Sequence, residues 1–429
     1  MGQFACKNTQ NVVQYHQSNV RESVDMNVVI GQSGGPTAVI NASLAGAYEG
    51  AIRAGANKVY GMKNGISGFL KENFVLLNET LGGEGQVELL KRTPACYLGS
   101  CRYKLKSAEV SGEEYEKIFT ILKKYEIDCF FYIGGNDSMD TVAKLAAYGK
   151  KIGSAVRFVG IPKTIDNDLT VTDHTPGYGS AAKFVATVIK ELSCDSTIYD
   201  LKSVTIVEIM GRNAGWLTAA AALAKGEDCD GADLIFLPEV PFTLDNFFAK
   251  ISACMEKKKS LVIAVSEGVK LPDGRYVCEL SAADAKEDVF GHKQLTGTAL
   301  FLAGECARRL GIKARAIELS TLQRCASHIA SLTDIEEAYG VGEAAVQAAV
   351  AGQSGVAATL VRVSSTPYQW TTGVHTIDAI ANQEKCVPLE WINEDGTGLT
   401  EAYIEYALPL IQGELTPIYA NGLPKHIQK

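Results

Sequence analysis

Short apolar segments recur along the chain, and each ends in a glycine-rich or polar segment. The apolar segments cover residues 28–30, 130–133, 157–161, 205–209, 234–237 and 261–265. Helical periodicity predicts helices between and after them, over residues 38–53, 138–148, 180–192, 215–224, 244–257 and 297–310. Near-continuous apolar strands that alternate with helices are typical of buried parallel sheets. The pattern therefore predicts an α/β fold.

Residues 364–398 depart from this pattern, because Pro367, Gly373, Pro388 and Gly396 interrupt it. Proline and glycine are the strongest breakers of regular structure. We expect this stretch to be rich in loops and to bridge two lobes.

Glycines and oxygen-bearing side chains follow two of the predicted strands. After the first strand, Gly34 and Gly35 would let backbone N–H groups approach a phosphate at a helix N-terminus. A tight strand-to-helix turn explains these glycines equally well. After the second strand, Asn136, Asp137 and Ser138 could hold a metal ion or steer a phosphate chain. When this segment is considered by itself, a helix cap is the better explanation. Both segments stand where α/β folds bind ligands, beyond the carboxyl ends of strands.

A dense charge cluster follows the third predicted strand. Lys163, Asp166 and Asp168 fall within six residues. Phosphoryl transfer requires a positive charge on the transferred group and a base for the attacking hydroxyl. A solvated polar loop would not account for such a cluster directly after an apolar strand. The segment 162–168 therefore predicts the centre of a phosphoryl-transfer site.

Four further charged residues stand at strand ends or in polar segments, namely Arg102, Arg212, Glu267 and Arg324. Arginine suits a sugar phosphate, and glutamate suits sugar hydroxyls. Each residue alone is more readily explained as an ordinary surface charge. Jointly they are consistent with a phosphate cage.

The composition argues against several classes of protein. The 429 residues are 46% hydrophobic, which is enough for two or three globular units. With a net charge of −8 and no basic tract longer than residues 257–259, no nucleic-acid partner is expected. No apolar segment is long enough to span a bilayer, so no membrane partner is expected. The eleven cysteines form no C-x-x-C pair and are expected to be reduced thiols in a cytoplasmic protein.

Taken together, these segments resemble the phosphofructokinase family. The motifs follow the family's order: the glycine loop at 34–35, GGNDS at 134–138, TIDND at 164–168, MGR at 210–212, SE at 266–267 and QR at 323–324. The resemblance covers residues 27–330 and, more loosely, the remainder. It implies two Rossmann-like lobes with mainly parallel sheets and the active site in the cleft between them.

The resemblance also implies approximate lobe boundaries. Residues 1–26 would form an N-terminal extension. A phosphate-donor lobe would span residues 27–177 and be completed by residues 323–385. A fructose 6-phosphate lobe would span residues 178–322 and be completed by residues 386–429.

The activity implied by the resemblance is Mg2+-dependent phosphoryl transfer to the 1-hydroxyl of fructose 6-phosphate. Asp166 would be the catalytic base, and Lys163 and Asp137 would assist catalysis. The residues expected to bind the donor are Gly34, Gly35, Arg102, Ser138 and Lys163. Those expected to bind fructose 6-phosphate are Thr164, Ile165, Asp166, Met210, Gly211, Arg212, Glu267, Arg315 and Arg324. The candidate metal ligands are Asp168 and Asn136, which stands where many relatives have a metal-holding Asp.

The expected donor depends on Asp137 and Lys163, which resemble the pyrophosphate-dependent branch of the family. A carboxylate at Asp137 would lie where the α-phosphate of a nucleotide must go, and like charges repel. Lys163 would supply charge to a small donor that lacks adenosine. Pyrophosphate and fructose 6-phosphate are therefore the expected substrates of a reversible reaction that serves glycolysis and gluconeogenesis.

Other functions remain open. An ATP-dependent 6-phosphofructokinase is the nearest alternative. A non-catalytic regulatory subunit on the same fold would have lost the base or the sugar-phosphate arginines, whereas Asp166 and Arg212 are both present. A dinucleotide oxidoreductase is least consistent, because no acidic residue follows a proper fingerprint at the expected distance.

The resemblance also implies a homo-oligomer. Family members are usually oligomeric, with residues such as Arg315 reaching the sugar phosphate of a neighbouring subunit. The sequence alone does not give the number of subunits, and a homodimer is the expectation here.

Overall fold

The computed structural model describes residues 26–280 and 295–428. The predicted extension therefore lies, apart from Met26, outside the described residues. The strands are β1 Met26–Gln32, β2 Ala56–Met62, β3 Phe74–Leu76, β4 Ile127–Gly134, β5 Arg157–Pro162, β6 Ser203–Ile209, β7 Leu234–Phe236, β8 Ser260–Ser266, β9 Lys313–Glu318, β10 Val356–Ser365, β11 Tyr368–Thr376, β12 Tyr419–Ala420 and β13 Leu423–Pro424. The helices are α1 Ile40–Arg53, α2 Gly65–Phe69, α3 Leu77–Leu81, α4 Gln86–Lys91, α5 Gly112–Lys124, α6 Asn136–Lys151, α7 Tyr178–Ser196, α8 Trp216–Ala219, α9 Leu244–Met255, α10 Thr298–Leu310, α11 Leu332–Val350 and α12 Glu401–Ala407.

The larger sheet has seven strands in the order β11-β10-β5-β4-β1-β2-β3. Its five central strands run parallel, and β11 and β3 pair antiparallel at the two edges. Val28, Val29 and Ile30 of β1 are fully buried. Continuous burial of this kind is what a central parallel strand covered on both faces requires.

The smaller sheet has four parallel strands in the order β7-β8-β6-β9. Ile209 at the end of β6 lies opposite Ser266 at the end of β8. The segments that follow these two strands therefore emerge side by side. With mainly parallel sheets and helices between the strands, the predicted α/β class is confirmed.

All six apolar segments form strands, and all six predicted helices are present. The helix predicted over residues 215–224 is α8 followed by a 3-10 turn at Ala220–Ala224. The loop-rich prediction for residues 364–398 was wrong in its first part, because β11 pairs with β10 as an antiparallel hairpin at the sheet edge. Pairing with another strand satisfies the backbone groups of β11, and a local pattern of breakers does not reveal it.

Helix α11 was not predicted, although it packs along α1 against the larger sheet. A Cβ on Gly342 would lie 2.2 Å from the carbonyl oxygen of Ser43, and one on Gly46 would lie 2.0 Å from that of Tyr339. Glycine at both positions lets the two helix backbones approach closely.

The two sheets draw on different parts of the chain. Strands of the larger sheet come from residues 26–162 and 356–376, and strands of the smaller sheet from residues 203–318. Tyr403 of α12 packs in the core beside the smaller sheet and shares a 2.7 Å hydroxyl hydrogen bond with Tyr178. The lobe boundaries given above stay a prediction. Among the described residues, no helix is long and apolar enough to cross a membrane.

Candidate active site

Segments that follow five strands of the two sheets line one cavity of about 340 Å3. Parallel registers align these segments, since Gln32 lies opposite Ile133 and Gly134 opposite Pro162. The residues singled out from the sequence that line the cavity are Gly34, Gly35, Arg102, Asn136, Asp137, Ser138, Lys163, Thr164, Ile165, Asp166, Asp168, Met210, Arg212, Glu267 and Arg324. The predicted motifs therefore converge in one cleft.

The glycine loop after β1 lies directly against two cationic side chains. Gly34 adopts a φ of +75°, and a Cβ on it would lie 3.3 Å from Nζ of Lys163. A Cβ on Gly35 would lie 3.3 Å from Nη1 of Arg324. Because neither position carries a side chain, backbone and cations can approach the same anion.

The segment after β5 is held by a buried turn at Asn167. This residue adopts a φ of +54°, its side chain donates 2.9 Å to the Tyr406 hydroxyl, and it accepts 3.0 Å from the Thr175 N–H. The neighbours Asp166 and Asp168 both line the cavity. The tertiary structure thus fixes the loop through Asn167 and leaves its two carboxylates for chemistry.

Asp166 receives its closest support from Thr164, whose hydroxyl donates to Oδ2 at 3.2 Å. Burial raises the pKa of Asp166, while this hydrogen bond and the charge of Lys163 oppose the rise. Burial lowers the pKa of Lys163, and the nearby carboxylates oppose that change. A buried carboxylate beside a cation is a suitable arrangement for a base that takes a hydroxyl proton.

Asp168 lies in a more repulsive environment. Burial, followed by the charges of Asp166 and Glu384, raises the pKa of Asp168 to about 7. Like charges held close together favour either protonation or a bound cation. Asp168 therefore fits a role beside a divalent ion.

On the opposite side of the cleft, Gly211 and Glu267 are joined by a 3.4 Å hydrogen bond from the Gly211 N–H to Oε1. Gly211 adopts a φ of +139°, and a Cβ there would lie 2.6 Å from the carbonyl oxygen of Ala214. The Met210 N–H donates 3.3 Å to the side chain of buried Gln323. Burial raises the pKa of Glu267 to about 8, with further contributions from the charges of Asp166 and Glu208.

The acidic residues of the cavity are compatible with Mg2+ bound together with a phosphate. Within residues 26–280 and 295–428, no group of three His, Cys, Asp or Glu side chains forms a complete cage. Mg2+ is commonly held by one or two carboxylates plus substrate phosphates, and Asp137, Asp166 and Asp168 all line the cavity. Asn136 donates to the Gln383 carbonyl at 2.6 Å and accepts from the Asn382 N–H, and its metal role stays a prediction.

Arg315 does not line this cavity. It lies on β9 and forms a 3.0 Å ion pair with Asp195 on α7. The cavity also contains Tyr103, Asn213 and Glu384, which the sequence analysis missed. Glu384 follows no predicted strand and belongs to a stretch interpreted as loop, so no local signal marked it.

Residues 27–318, well over half of the chain, match the model of the family described as Phosphofructokinase. The chain belongs to the phosphofructokinase family. Its motifs occur in the family's order and meet in the cleft, so the resemblance inferred from the sequence is confirmed.

This phosphofructokinase is similar over nearly its whole length to several relatives. It is 41% identical over 403 residues to the pyrophosphate–fructose 6-phosphate 1-phosphotransferase of Halomonas elongata, covering 93% of this chain and 95% of the relative. The enzyme of the same description from Xanthomonas campestris is 42% identical over 404 residues, covering 94% and 95%. The crystal structure of the pyrophosphate-dependent phosphofructokinase from Nitrosospira multiformis has a TM-score of 0.84 at 38% identity, covering 94% and 95%.

Proposed function

We propose that this phosphofructokinase reversibly transfers a phosphoryl group from pyrophosphate to the 1-hydroxyl of fructose 6-phosphate. The products are fructose 1,6-bisphosphate and phosphate, so the reaction serves glycolysis and gluconeogenesis. The observation that carries the proposal is that Asp137 and Lys163 line one cavity together with the base candidate Asp166. Near full-length similarity to pyrophosphate-dependent relatives supports it.

In the proposed reaction, the 1-hydroxyl oxygen attacks the nearer phosphorus of pyrophosphate. Its proton passes to the carboxylate of Asp166, a new P–O bond forms, and the bridging P–O bond breaks to release phosphate. Lys163 and the backbone of Gly34 hold the donor, because the ammonium lies against the loop. Positioning and charge stabilisation supply most of the catalysis in phosphoryl transfer.

The sugar phosphate is assigned to Arg212 and Arg324, which line the cavity and match the anion. Arg324 also lies against Gly35 of the glycine loop, so the donor and the sugar phosphate would bind as neighbours. Glu267, held by the Gly211 N–H, would bind sugar hydroxyls. Mg2+ held by Asp168 would neutralise charge that develops on the transferred group.

We also propose a cytoplasmic homo-oligomer, most simply a homodimer. Arg315 is half-exposed and lies away from the cavity of its own chain, which supports a role toward a neighbouring subunit. All ten cysteines in the described part of the chain are free thiols, as expected in a reducing compartment. Sedimentation of the wild type and of Arg315→Ala, with parallel assays of fructose 6-phosphate affinity, tests the assignment.

The donor is tested by measuring fructose 1,6-bisphosphate formation with pyrophosphate and with ATP under matched Mg2+. We expect kcat/KM with pyrophosphate to exceed that with ATP by about 100-fold or more, a discrimination within the range that unpaired charges produce. Robust ATP activity without pyrophosphate activity would overturn the proposal in favour of an ATP-dependent enzyme. Inactivity with both donors, combined with activation of another chain, would favour a regulatory subunit.

Asp137→Gly sharpens the same test. Removal of this carboxylate should raise the rate with ATP by about tenfold, because one charge repulsion near a phosphate is lost. Asp245→Gly is a matched control, since Asp245 also lies in the first turn of a helix but outside the cavity. An unchanged ATP rate in Asp137→Gly would show that the carboxylate does not exclude the nucleotide.

A further inference from the structure

Asn136 binds two consecutive backbone groups from a distant part of the chain. Its side-chain amide donates to the carbonyl oxygen of Gln383 at 2.6 Å. Its side-chain oxygen accepts from the N–H of Asn382. Both ends of the amide are therefore engaged at the point where α6 begins in the donor part of the cleft.

The segment reached by Asn136, residues 382–387, also contacts the rest of the site. The Asn382 side chain donates to Asp140 Oδ1 at 3.1 Å, one turn along α6 from Asn136. The Lys385 N–H donates to the carbonyl oxygen of Asp168 at 2.7 Å. The 382–387 segment thus connects α6 with the loop that carries the catalytic carboxylates.

The same segment also contacts the smaller sheet's side of the cleft. The indole N–H of Trp216 donates to the Lys385 carbonyl oxygen at 2.8 Å. The Val387 N–H donates 2.9 Å to Glu239, which also accepts 2.8 Å from the Gly215 N–H. Between these anchors, Glu384 lines the reaction cavity. The 382–387 segment therefore joins α6, the loop that contains Asp168 and the smaller sheet's side of the cleft.

We propose that Asn136 is a positioning residue, which fastens the 382–387 segment over the start of α6 and so builds the donor-side wall that carries Glu384. This inference rests on the proposed use of pyrophosphate. An amide suits the task because it donates and accepts at once, and the two backbone groups present one acceptor and one donor. Aspartate at this position would accept from the Asn382 N–H but would face the Gln383 carbonyl without a proton to donate.

Asn136 would thus act through the segment that it holds, although it stands at an expected metal position, and the metal would be held by the carboxylates of the cavity. Asn136→Asp separates the two roles, because it offers a better Mg2+ ligand and a worse clamp. Asn136→Ala removes the clamp and any ligand together.

Hydrogen exchange tests the clamp without reference to activity. In Asn136→Ala, the amides of residues 380–387 should exchange about tenfold faster, as expected when a net hydrogen-bond contribution is lost. The exchange rates of the same amides in Asn136→Asp should lie between those of Asn136→Ala and the wild type. Gln383→Ala is the matched control, because the backbone carbonyl of Gln383, and not its side chain, accepts from Asn136. The amides of this variant should exchange like those of the wild type. Unchanged exchange in Asn136→Ala would overturn the proposal.

Kinetics complete the test. We expect Asn136→Ala to raise KM for pyrophosphate by about tenfold, to leave KM for fructose 6-phosphate within about twofold, and not to change the Mg2+ concentration needed for half activity. If Asn136→Asp instead lowers that Mg2+ concentration while exchange stays like the wild type, Asn136 is a metal ligand and the proposal fails. A wild type without pyrophosphate activity would sink the proposed function alone, since the exchange comparison would still report on the clamp.

Discussion

The ammonium group of Lys163 lies so close to Gly34 that a Cβ on the glycine would be 3.3 Å from Nζ. Gly34 also adopts a φ of +75°, a region that residues with a Cβ seldom adopt. The Ser100 hydroxyl donates 2.6 Å to the Gly34 carbonyl and holds the loop in this conformation. The loop and the lysine, at two strand ends, are therefore placed to bind one anion together, as the proposed donor site requires.

Gly34→Ala should weaken donor binding. The added methyl group forces either the loop or Lys163 to move, so we expect KM for pyrophosphate to rise by about tenfold or more, equivalent to ~1.4 kcal/mol. Steady-state kinetics with pyrophosphate as the varied substrate measure this change.

Gly153→Ala is the control for the backbone cost of Gly34→Ala. Gly153 adopts a similar φ of +69°, and no atom lies within 4 Å of a Cβ placed there. This variant should lose about 1 kcal/mol of stability and keep the wild-type KM. Equal effects of both substitutions on KM would contradict the proposed contact.

Asp166→Asn should remove the proposed base and keep the shape of the site. General-base catalysis contributes about 10²–10⁴-fold to rate, so kcat should fall by at least about 100-fold while KM for fructose 6-phosphate changes little. Asp378→Asn, at an exposed position outside the cavity, should retain wild-type kcat. Retention of most activity in Asp166→Asn would exclude Asp166 as the base.

Asp168→Asn should stabilise the protein most at alkaline pH. The pKa of Asp168 in the folded chain is about 7, above the ordinary value of about 3.9. The stability associated with this carboxyl is present below its unfolded pKa and is lost as pH rises through the folded pKa. The variant escapes that loss, so its gain in free energy of unfolding should be about 2–3 kcal/mol larger at pH 8 than at pH 5.

Urea unfolding at pH 5 and pH 8, with one fixed protein concentration, measures the effect of Asp168→Asn. The fixed concentration matters because association would change the apparent stability. An equal gain at both pH values would mean that Asp168 is not strained by burial and neighbouring charge.

Stability should also depend on pH through His174, for a different physical reason. Its ring nitrogens lie 2.8 Å from Asp173 and 2.6 Å from Glu337 in the interior. Burial lowers the pKa of His174, but the charges and hydrogen bonds of Glu337 and Asp173 prevail and raise it to about 9. The associated stability is fully present below pH ~6.5 and is lost as pH rises through about 9.

Wild-type stability should therefore fall by up to about 3 kcal/mol between pH 6.5 and 9 through His174. Glu337→Gln should reduce this dependence of stability on pH, since it removes one of the charges that hold the His174 proton. It keeps the imidazole ring, so it can be compared with His174→Gln, which removes the ring. His426→Gln, at an exposed position, should retain the wild-type slope. A slope unchanged in both Glu337→Gln and His174→Gln would rule out a charged His174.

The sequence predicted the fold class because buried parallel strands carry a strong local signal. Strands β1, β4, β5, β6 and β8, which lie inside the two sheets, contain continuous apolar segments, since both of their faces are covered. The interior strand β2, which includes Asn57 and Lys58, has no such segment and was not predicted. Edge strands such as β11 are half exposed and mix polar residues with breakers. The pairing of β11 depends on the position of β10 in the sheet, which the local pattern of breakers does not indicate, so the sequence alone misplaced this region as loop.

The residues of the site also fall into those that the sequence indicated and those that only the tertiary structure revealed. Lys163, Asp166 and Asp168 were recognisable because their chemistry is concentrated in six residues at a strand end, and the parallel registers bring the other strand ends to them. Glu384 and the clamp at Asn136 were not recognisable, because Asn136 binds backbone groups 246 and 247 positions away along the chain. The sequence by itself determined which residues could move a phosphate; only the tertiary structure decided that Asn136 holds a wall of the site, because a side-chain amide takes its role from the partners that folding brings to it.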